Sequence, residues 1–224
     1  MGAAGAALRP GNFLRGMHML RYTSAIVVAL GALVAGCSDA NGPGAVDLPE
    51  AVVAGRLEHG TLRSIGANTN AAIIPGDDAS GIAYRSTLGF DLGALPAGAK
   101  VTAATLQVDQ CRVGGAPFTA LGALVLDHID LTLGLTDAAY AGQTIDADVG
   151  TLSSDATIGM RQLDVTTQVQ QDVASHRRVT AYRLRFSQHD TNGDAVTDFV
   201  QIALSRDGVC TSAPEPKLHV AYSR

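Results

Sequence analysis

Apolar and polar residues alternate in short runs along most of this 224-residue chain. A two-residue period is typical of β-strands that bury one face and expose the other. Turns rich in glycine and proline, such as Pro96-Ala97-Gly98, separate the runs. The clearest runs lie at residues 88–92, 105–109, 125–133, 182–187, 200–204 and 218–222. The pattern predicts a protein built on antiparallel sheet.

Only residues 166–175 have the period of a helix. Val169 and Val173 lie four positions apart on one face, and Thr166 or Thr167 could cap the N-terminus. Many short strands with a single short helix favour an all-β fold, an antiparallel jelly-roll-like β-sandwich.

A different pattern precedes the strands. Residues 25–35 form an apolar run of about 11 residues, which fits a signal peptide and is shorter than the roughly 20 residues of a membrane-spanning helix. Small residues lead into Cys37, an arrangement typical of bacterial lipoprotein signals, in which the thiol carries diacylglycerol. The alternative is an ordinary buried cysteine after a hydrophobic helix. A start at Met17 or Met19 would give a leader of more usual length.

The sequence therefore divides into three parts. Residues 1–36 are expected to be a signal peptide, residues 37–49 a lipidated flexible tether rich in Gly, Pro, Asp and Asn, and residues 50–224 the β-sandwich domain. The expected location is the bacterial cell envelope. The lipid anchor is expected to attach the protein to the membrane, with the domain facing the periplasm or the cell surface.

Two cysteines remain once Cys37 is assigned to the lipid. Cys111 and Cys210 are 99 positions apart, and an oxidising compartment would favour a disulfide between them. The alternative is two separate buried thiols.

The formal charge of the chain is −5 and includes three leader arginines but no leader acids, so the part after the leader carries about −8. This charge argues against nucleic acid or a bare anionic membrane surface as the main partner. The only basic run, His176-Arg177-Arg178, is interpreted as a solvated turn.

Several segments resemble, in the same order, the motifs of DNRLRE-type surface domains. Residues 84–92 and 95–106 are similar to the opening strands of that family, and residues 163–170, LDVTTQVQ, to its "DVTxxVQ" segment. Residues 203–207, ALSRD, are similar to its "FSSRE" segment, and residues 216–222, PKLHVAY, to its closing strand. The resemblance covers roughly residues 50–224.

The resemblance implies a jelly-roll-like β-sandwich on an exported protein. The family is related to a carbohydrate-binding module family that includes binders of acidic polysaccharide, so a non-catalytic surface module is expected. This chain has no Trp and 4% aromatic residues. Four of these aromatics fall on the apolar side of their strands: Phe90, Tyr182, Phe186 and Tyr222. Stacking on neutral sugars is therefore poorly supported.

Arginines offer a site for acidic sugars instead. Arg183 and Arg185 alternate with apolar residues of their strand, and Arg85 is similarly placed against Leu88. Their forked guanidinium groups could grip carboxylates with two hydrogen bonds each. The alternative is that they are scattered surface arginines.

An acidic loop suggests a calcium site. Asp190, Asn192, Asp194 and Asp198 have the oxygen-ligand spacing of the first, third, fifth and ninth positions of a calcium-binding loop. The turn glycine and the final glutamate of such loops are absent. The alternative is a polar hairpin loop with Asn192-Gly193 as its turn.

Catalysis finds little support in the sequence. It contains neither the G-x-S-x-G nucleophile motif nor the H-E-x-x-H zinc motif. His128 and Asp130 share one strand face, where polar surface is the expected role. The chain is therefore not expected to be an enzyme. It is expected to be an envelope β-sandwich that binds acidic extracellular polysaccharide or, alternatively, a structural or adhesive surface protein that contacts protein partners.

Overall fold

The computed structural model describes residues 42–49, 55–58, 61–63, 73–131, 138–204 and 208–224. The predicted signal peptide and Cys37 lie outside the described residues. So do residues 38–41 of the predicted tether and residues 205–207 of one family-like segment.

Within these ranges the chain forms twelve strands and three short α-helices. The strands are β1 (Gly44–Pro49), β2 (Gly55–Glu58), β3 (Thr61–Arg63), β4 (Gly76–Asp77), β5 (Ala83–Asp91), β6 (Lys100–Gly114), β7 (Leu124–Ile129), β8 (Thr144–Ser153), β9 (Gly159–Asp164), β10 (Val179–Phe186), β11 (Phe199–Ile202) and β12 (Lys217–Ser223). The helices are α1 (Pro117–Ala120), α2 (Ala138–Ala141) and α3 (Thr166–Ala174), and a 3₁₀ turn, Leu92–Ala94, follows β5.

The strands pair antiparallel in the order β1-β12-β6-β11-β4-β5-β10-β7-β8. Strand β9 pairs with β6, and the β2–β3 hairpin joins the sheet through β5. The short strands β4 and β11 connect two halves, one built on β6 and β12 and the other on β5, β10 and β7. Alternate residues of both halves share one hydrophobic core, among them Leu88, Phe90, Leu106, Val108, Leu126, Tyr182, Leu184, Leu218 and Val220. This confirms the predicted all-β sandwich with a short helix.

The strands that alternation reveals are those with a buried face. All six predicted runs overlap observed strands, whereas no predicted run covers the strands β1–β4, β8 or β9. In β8 most residues are exposed or half-buried, and in β9 exposed and half-buried residues alternate. Because neither strand contributes a strongly apolar face, hydropathy carries little trace of them.

The prediction that residues 37–49 form a flexible tether is wrong for Gly44–Pro49. This segment is β1 and pairs with β12 from Gly44 opposite Tyr222 to Pro49 opposite Lys217. Leu48 is 1% exposed and belongs to the core. The backbone hydrogen bonds to β12 and the burial of Leu48 order a segment whose composition resembles a linker. The folded domain therefore begins before residue 50.

Helix α3 is confirmed, but its capping differs from the prediction. Neither Thr166 nor Thr167 caps the helix with its side chain, and the N-cap position is Val165. The carboxylate of Asp164 accepts the Thr166 N–H at 2.8 Å, while the Thr166 hydroxyl accepts the N–H of Ala104 at 2.8 Å. The threonine thus attaches the helix to β6.

The predicted disulfide is present. Cys111 of β6 is bonded to Cys210, with the two Cα atoms 6.0 Å apart and 99 positions between them in sequence. Of the helices that the structure describes, none is long and apolar enough to span a membrane.

Candidate functional site

The three arginines predicted to bind ligand lie on one face of the β5–β10–β7 half, opposite the core. Their strand neighbours Leu184 and Phe186 are buried in the core, as the alternation predicted. However, the arginines do not project freely into solvent. Arg183 is only 3% exposed.

All five N–H groups of the Arg183 side chain have acceptors. Nε and Nη2 donate to Oδ2 of Asp127 at 3.0 and 2.7 Å. Nη1 donates to the carbonyl oxygens of Ala139 and Gly142 at 2.9 and 3.0 Å, and Nη2 also donates to the Thr144 hydroxyl at 2.9 Å. Helix α2 and the start of β8 therefore cover this arginine. The prediction that Arg183 is available to a ligand is wrong.

Arg185 shares the same carboxylate. Its Nε donates to Oδ2 of Asp127 at 2.9 Å and its Nη2 to Oδ1 at 3.1 Å, and Asp148 is a further partner. The Asp148 N–H also donates to Asp127, at 3.0 Å. Burial alone would raise the pKa of Asp127, but the hydrogen bonds from Arg185, from the Asp148 N–H and from Arg183 outweigh it and hold that pKa below its usual value.

Arg85 has its own carboxylate partner. Its Nε and Nη2 hold both oxygens of Asp190 at 3.1 and 2.8 Å, and its Nη1 donates to the Tyr140 carbonyl. Its guanidinium group lies 4.4 Å from the centre of the Tyr140 ring. Burial and the nearby charge of Asp190 raise the pKa of Tyr140 to about 12.

We call this arrangement the ion-pair face, defined by Arg85, Arg183, Arg185, Asp127, Asp148 and Asp190. Its three cations are matched by three anions. The two-pronged carboxylate contacts expected for a polysaccharide are made by aspartates of the chain itself. Sequence reasoning missed Asp127 and Asp148. The available signal was a carboxylate in the middle of a mostly apolar run, residues 124–129, since a buried charge requires a partner.

The four predicted calcium ligands are not brought together. Asp190 is paired with Arg85, while Asn192 and Asp194 bond to each other, with Asn192 Nδ2 2.8 Å from Asp194 Oδ2. Asp198 is 1% exposed and its carboxylate accepts the N–H of Ala116. Across the described parts of the chain, no three Asp, Glu, His or Cys side chains are grouped in a way that could hold a metal ion.

The loop is instead organised around Asp77. One carboxylate oxygen of Asp77 accepts the Asn192 N–H at 3.3 Å, and the other accepts the Asp198 N–H at 3.2 Å. Gly193 has φ +67°, a left-handed conformation that favours glycine. These contacts fit the alternative interpretation, a polar loop.

A calcium site at this loop stays a prediction, which thermal unfolding can check. If calcium binds only the folded state, millimolar calcium should raise the melting temperature above that in chelator. We expect a small rise, because calcium must displace the ion pair between Arg85 and Asp190. Asp190→Ala should abolish the difference, whereas the exposed Asp155→Ala should keep it. Equal melting of the wild-type protein in both conditions would contradict a calcium site.

The expectation that His128 lies on polar surface is also wrong. His128 and Asp172 are both fully buried, with His128 Nε2 2.8 Å from Asp172 Oδ2. The other oxygen of Asp172 accepts Nη1 of Arg177 at 2.8 Å. Because Asp172 belongs to α3, which packs over the inner side of this part of the sheet, the pair connects the helix to β7. Because neither side chain is exposed, this contact joins two elements of the fold and is closed to a ligand.

The comparisons with known proteins leave the family open. A scan of protein-family models finds no match to this chain, and a search of curated proteins finds none either. Membership of the DNRLRE-type surface domains therefore stays a prediction.

Proposed function

We propose that this chain is a non-catalytic binding module of the bacterial cell envelope, anchored through lipid on Cys37, with acidic extracellular polysaccharide as its ligand. The observation that carries the envelope location is the disulfide between Cys111 and Cys210. Structural disulfides persist in oxidising compartments outside the cytosol. The bond thus supports export, as the predicted leader does.

If Cys37 carries a lipid, the position of β1 limits how far the folded domain can lie from the anchor. Only six residues separate Cys37 from Gly44, the first residue of β1. Even a fully extended chain spans no more than about 25 Å over the seven Cα–Cα steps. A lipid on Cys37 would therefore keep the first residue of β1 within about 25 Å of the anchored residue.

A binding role is supported over catalysis by the state of the ionisable groups. The lowered pKa of Asp127 arises from its partners on the ion-pair face, and the buried pair of His128 and Asp172 lies out of reach of a substrate. Perturbed ionisable groups can mark catalytic sites, but structural ion pairs perturb them too. Here the contacts favour the structural explanation.

The lipid anchor is tested by metabolic labelling with a radioactive fatty acid in a bacterial host. The wild-type chain should take up label and partition into detergent, and Cys37→Ser should do neither, because the acceptor thiol is lost. Cys111→Ser serves as the control and should remain labelled. Equal labelling of the wild-type and Cys37→Ser proteins would overturn the anchor.

One observation favours the alternative, an adhesive or structural protein that contacts protein partners. Ile158, directly before β9, is 53% exposed, and Met160, within β9, is 48% exposed. Among the described strands, β9 pairs with β6 only, so these side chains lie at an edge. Exposed apolar side chains at a sheet edge are common in contacts with other proteins. A wild-type protein that binds no polysaccharide would favour this role.

A further inference from the structure

A cleft of about 370 Å³ lies where the 3₁₀ turn after β5 meets the connection between α3 and β10. One wall is largely apolar and includes Leu95, Pro96 and Ala99, and the other carries His176, Arg177 and Arg178. We call it the arginine cleft. Its basic wall is His176-Arg177-Arg178, the run that the sequence led us to expect as a solvated turn.

The backbone sets the position of the basic wall. Helix α3 ends at Ala174, and His176 adopts a left-handed conformation with φ +54° that turns the chain toward β10. The Arg177 N–H donates to the Asp172 carbonyl at 2.9 Å, and the Leu92 N–H donates to the Arg178 carbonyl at 2.8 Å. The second bond joins the two walls, so the arginine side chains emerge from an anchored backbone.

The two arginines are held very differently. Arg177 is paired with the buried Asp172 at 2.8 Å, and its side chain is 25% exposed. The Arg178 side chain is 81% exposed, and its contacts with Asp91 measure 3.3 and 3.4 Å. Charge-assisted hydrogen bonds are usually 2.7–2.9 Å long, and exposed ion pairs contribute roughly 0–1 kcal/mol. Arg178 is therefore held less tightly by Asp91 than the arginines of the ion-pair face are held by their aspartates, and its guanidinium group is accessible to a ligand carboxylate.

The same basic residues also border a second cleft. It has a volume of about 530 Å³, and its other lining residues include Leu131, Ser175 and Val179. His176, Arg177 and Arg178 thus form a ridge with a depression on each side. This shape suits an extended ligand that crosses the ridge better than a single small molecule.

We propose that the arginine cleft binds the uronate units of an acidic polysaccharide, an inference that rests on the proposed function and names its site. A uronate carboxylate would accept hydrogen bonds from Arg178, and the apolar side of the sugar ring would lie against Leu95 and Pro96. Guanidinium groups match carboxylates in geometry, and apolar walls with a few polar groups are typical of ligand sites.

The test uses the full-length protein and measures binding to polygalacturonate, with neutral dextran as the comparison polymer. The wild-type protein should bind polygalacturonate and lose affinity as salt is added, because contacts between exposed charges are screened. Arg178→Ala should lower the affinity about tenfold or more, the usual effect of losing a hydrogen bond to a charged group. Its melting temperature should stay near the wild-type value, since the side chain is exposed.

Arg112→Ala is the matched control. Arg112 is an exposed arginine on β6, 5.2 Å from the Phe199 ring and outside the cleft lining, so its loss should leave the affinity unchanged. If the wild-type protein and Arg178→Ala bind polygalacturonate equally well, or if Arg178→Ala binds no worse than Arg112→Ala, the arginine cleft is not the binding site. Acidic polysaccharide would then remain the proposed ligand. If the wild-type protein does not bind polygalacturonate, or binds only dextran, both fail. The fatty-acid labelling tests the anchor separately.

Discussion

Replacing Asp127 by asparagine should lower the free energy of unfolding by about 3–5 kcal/mol, the range found when one member of a buried ion pair is removed. Asp127 is 1% exposed and is the carboxylate that Arg183 and Arg185 share. Its loss leaves the buried Arg183 guanidinium without a counter-charge. The asparagine NH₂ group would also point hydrogen-bond donors at arginine donors.

Urea unfolding at neutral pH measures this effect, and Asp148→Asn is its matched control. Asp148 contacts the same Arg185, but its side chain is 66% exposed. Since exposed ion pairs contribute little, the control should lose no more than about 1 kcal/mol. Similar small losses in both variants would show that the ion-pair face does not stabilise the fold.

The effect should also depend on pH. The folded-state pKa of Asp127 is lowered, so its contribution is complete above the unfolded value of about 3.9 and is lost as the pH falls through the folded value. The stability gap between the wild-type protein and Asp127→Asn should therefore be constant near neutral pH and narrow in acid. A gap that widens in acid would contradict the assigned direction of the pKa shift.

Removing the disulfide with Cys111→Ala and Cys210→Ala together should cost about 2–5 kcal/mol of stability. The bond closes a loop of 99 residues, and the chain-entropy model assigns about 4.7 kcal/mol to a 100-residue loop. The effect acts mainly on the unfolded chain, because the cross-link restricts the conformations open to it. The double variant should retain the native fold, because an alanine side chain fits in the space of each cysteine.

Urea unfolding with and without reductant checks this prediction. Reductant should lower the unfolding midpoint of the wild-type protein toward that of the double variant, and should leave the double variant unchanged. A Cys37→Ser protein should respond to reductant like the wild type, since Cys37 takes no part in the bond. A wild-type midpoint that is the same in both conditions would contradict a stabilising disulfide.

The ion-pair face shows why part of the site was predictable and part was not. The strand period places Arg183 and Arg185 on the face opposite Leu184 and Phe186, and the structure confirms this. Their partner Asp127 lies 56 and 58 positions away and reaches them only because β7 pairs with β10 in one register. A shift of one residue would turn Asp127 to the other face. The hydropathy pattern does not determine that register, so the pairing of Arg183 and Arg185 with Asp127 could not be predicted from the sequence.

The sequence by itself determined the properties that depend on near neighbours: which runs form buried strands, where α3 lies, and which face of each strand is apolar. Because side chains alternate between the two faces of a strand, burial of one face produces a period in the sequence that can be seen without the structure. Tertiary structure alone decided that Gly44–Pro49 becomes a strand paired with β12 and that His128 is buried against Asp172. It also decided that Arg85, Arg183 and Arg185 are paired with aspartates of the chain. Arg178, in contrast, stays exposed. These outcomes depend on which distant segments of the chain come into contact. Whether a charged side chain stabilises the fold or is accessible to a ligand depends on the partner that those contacts provide.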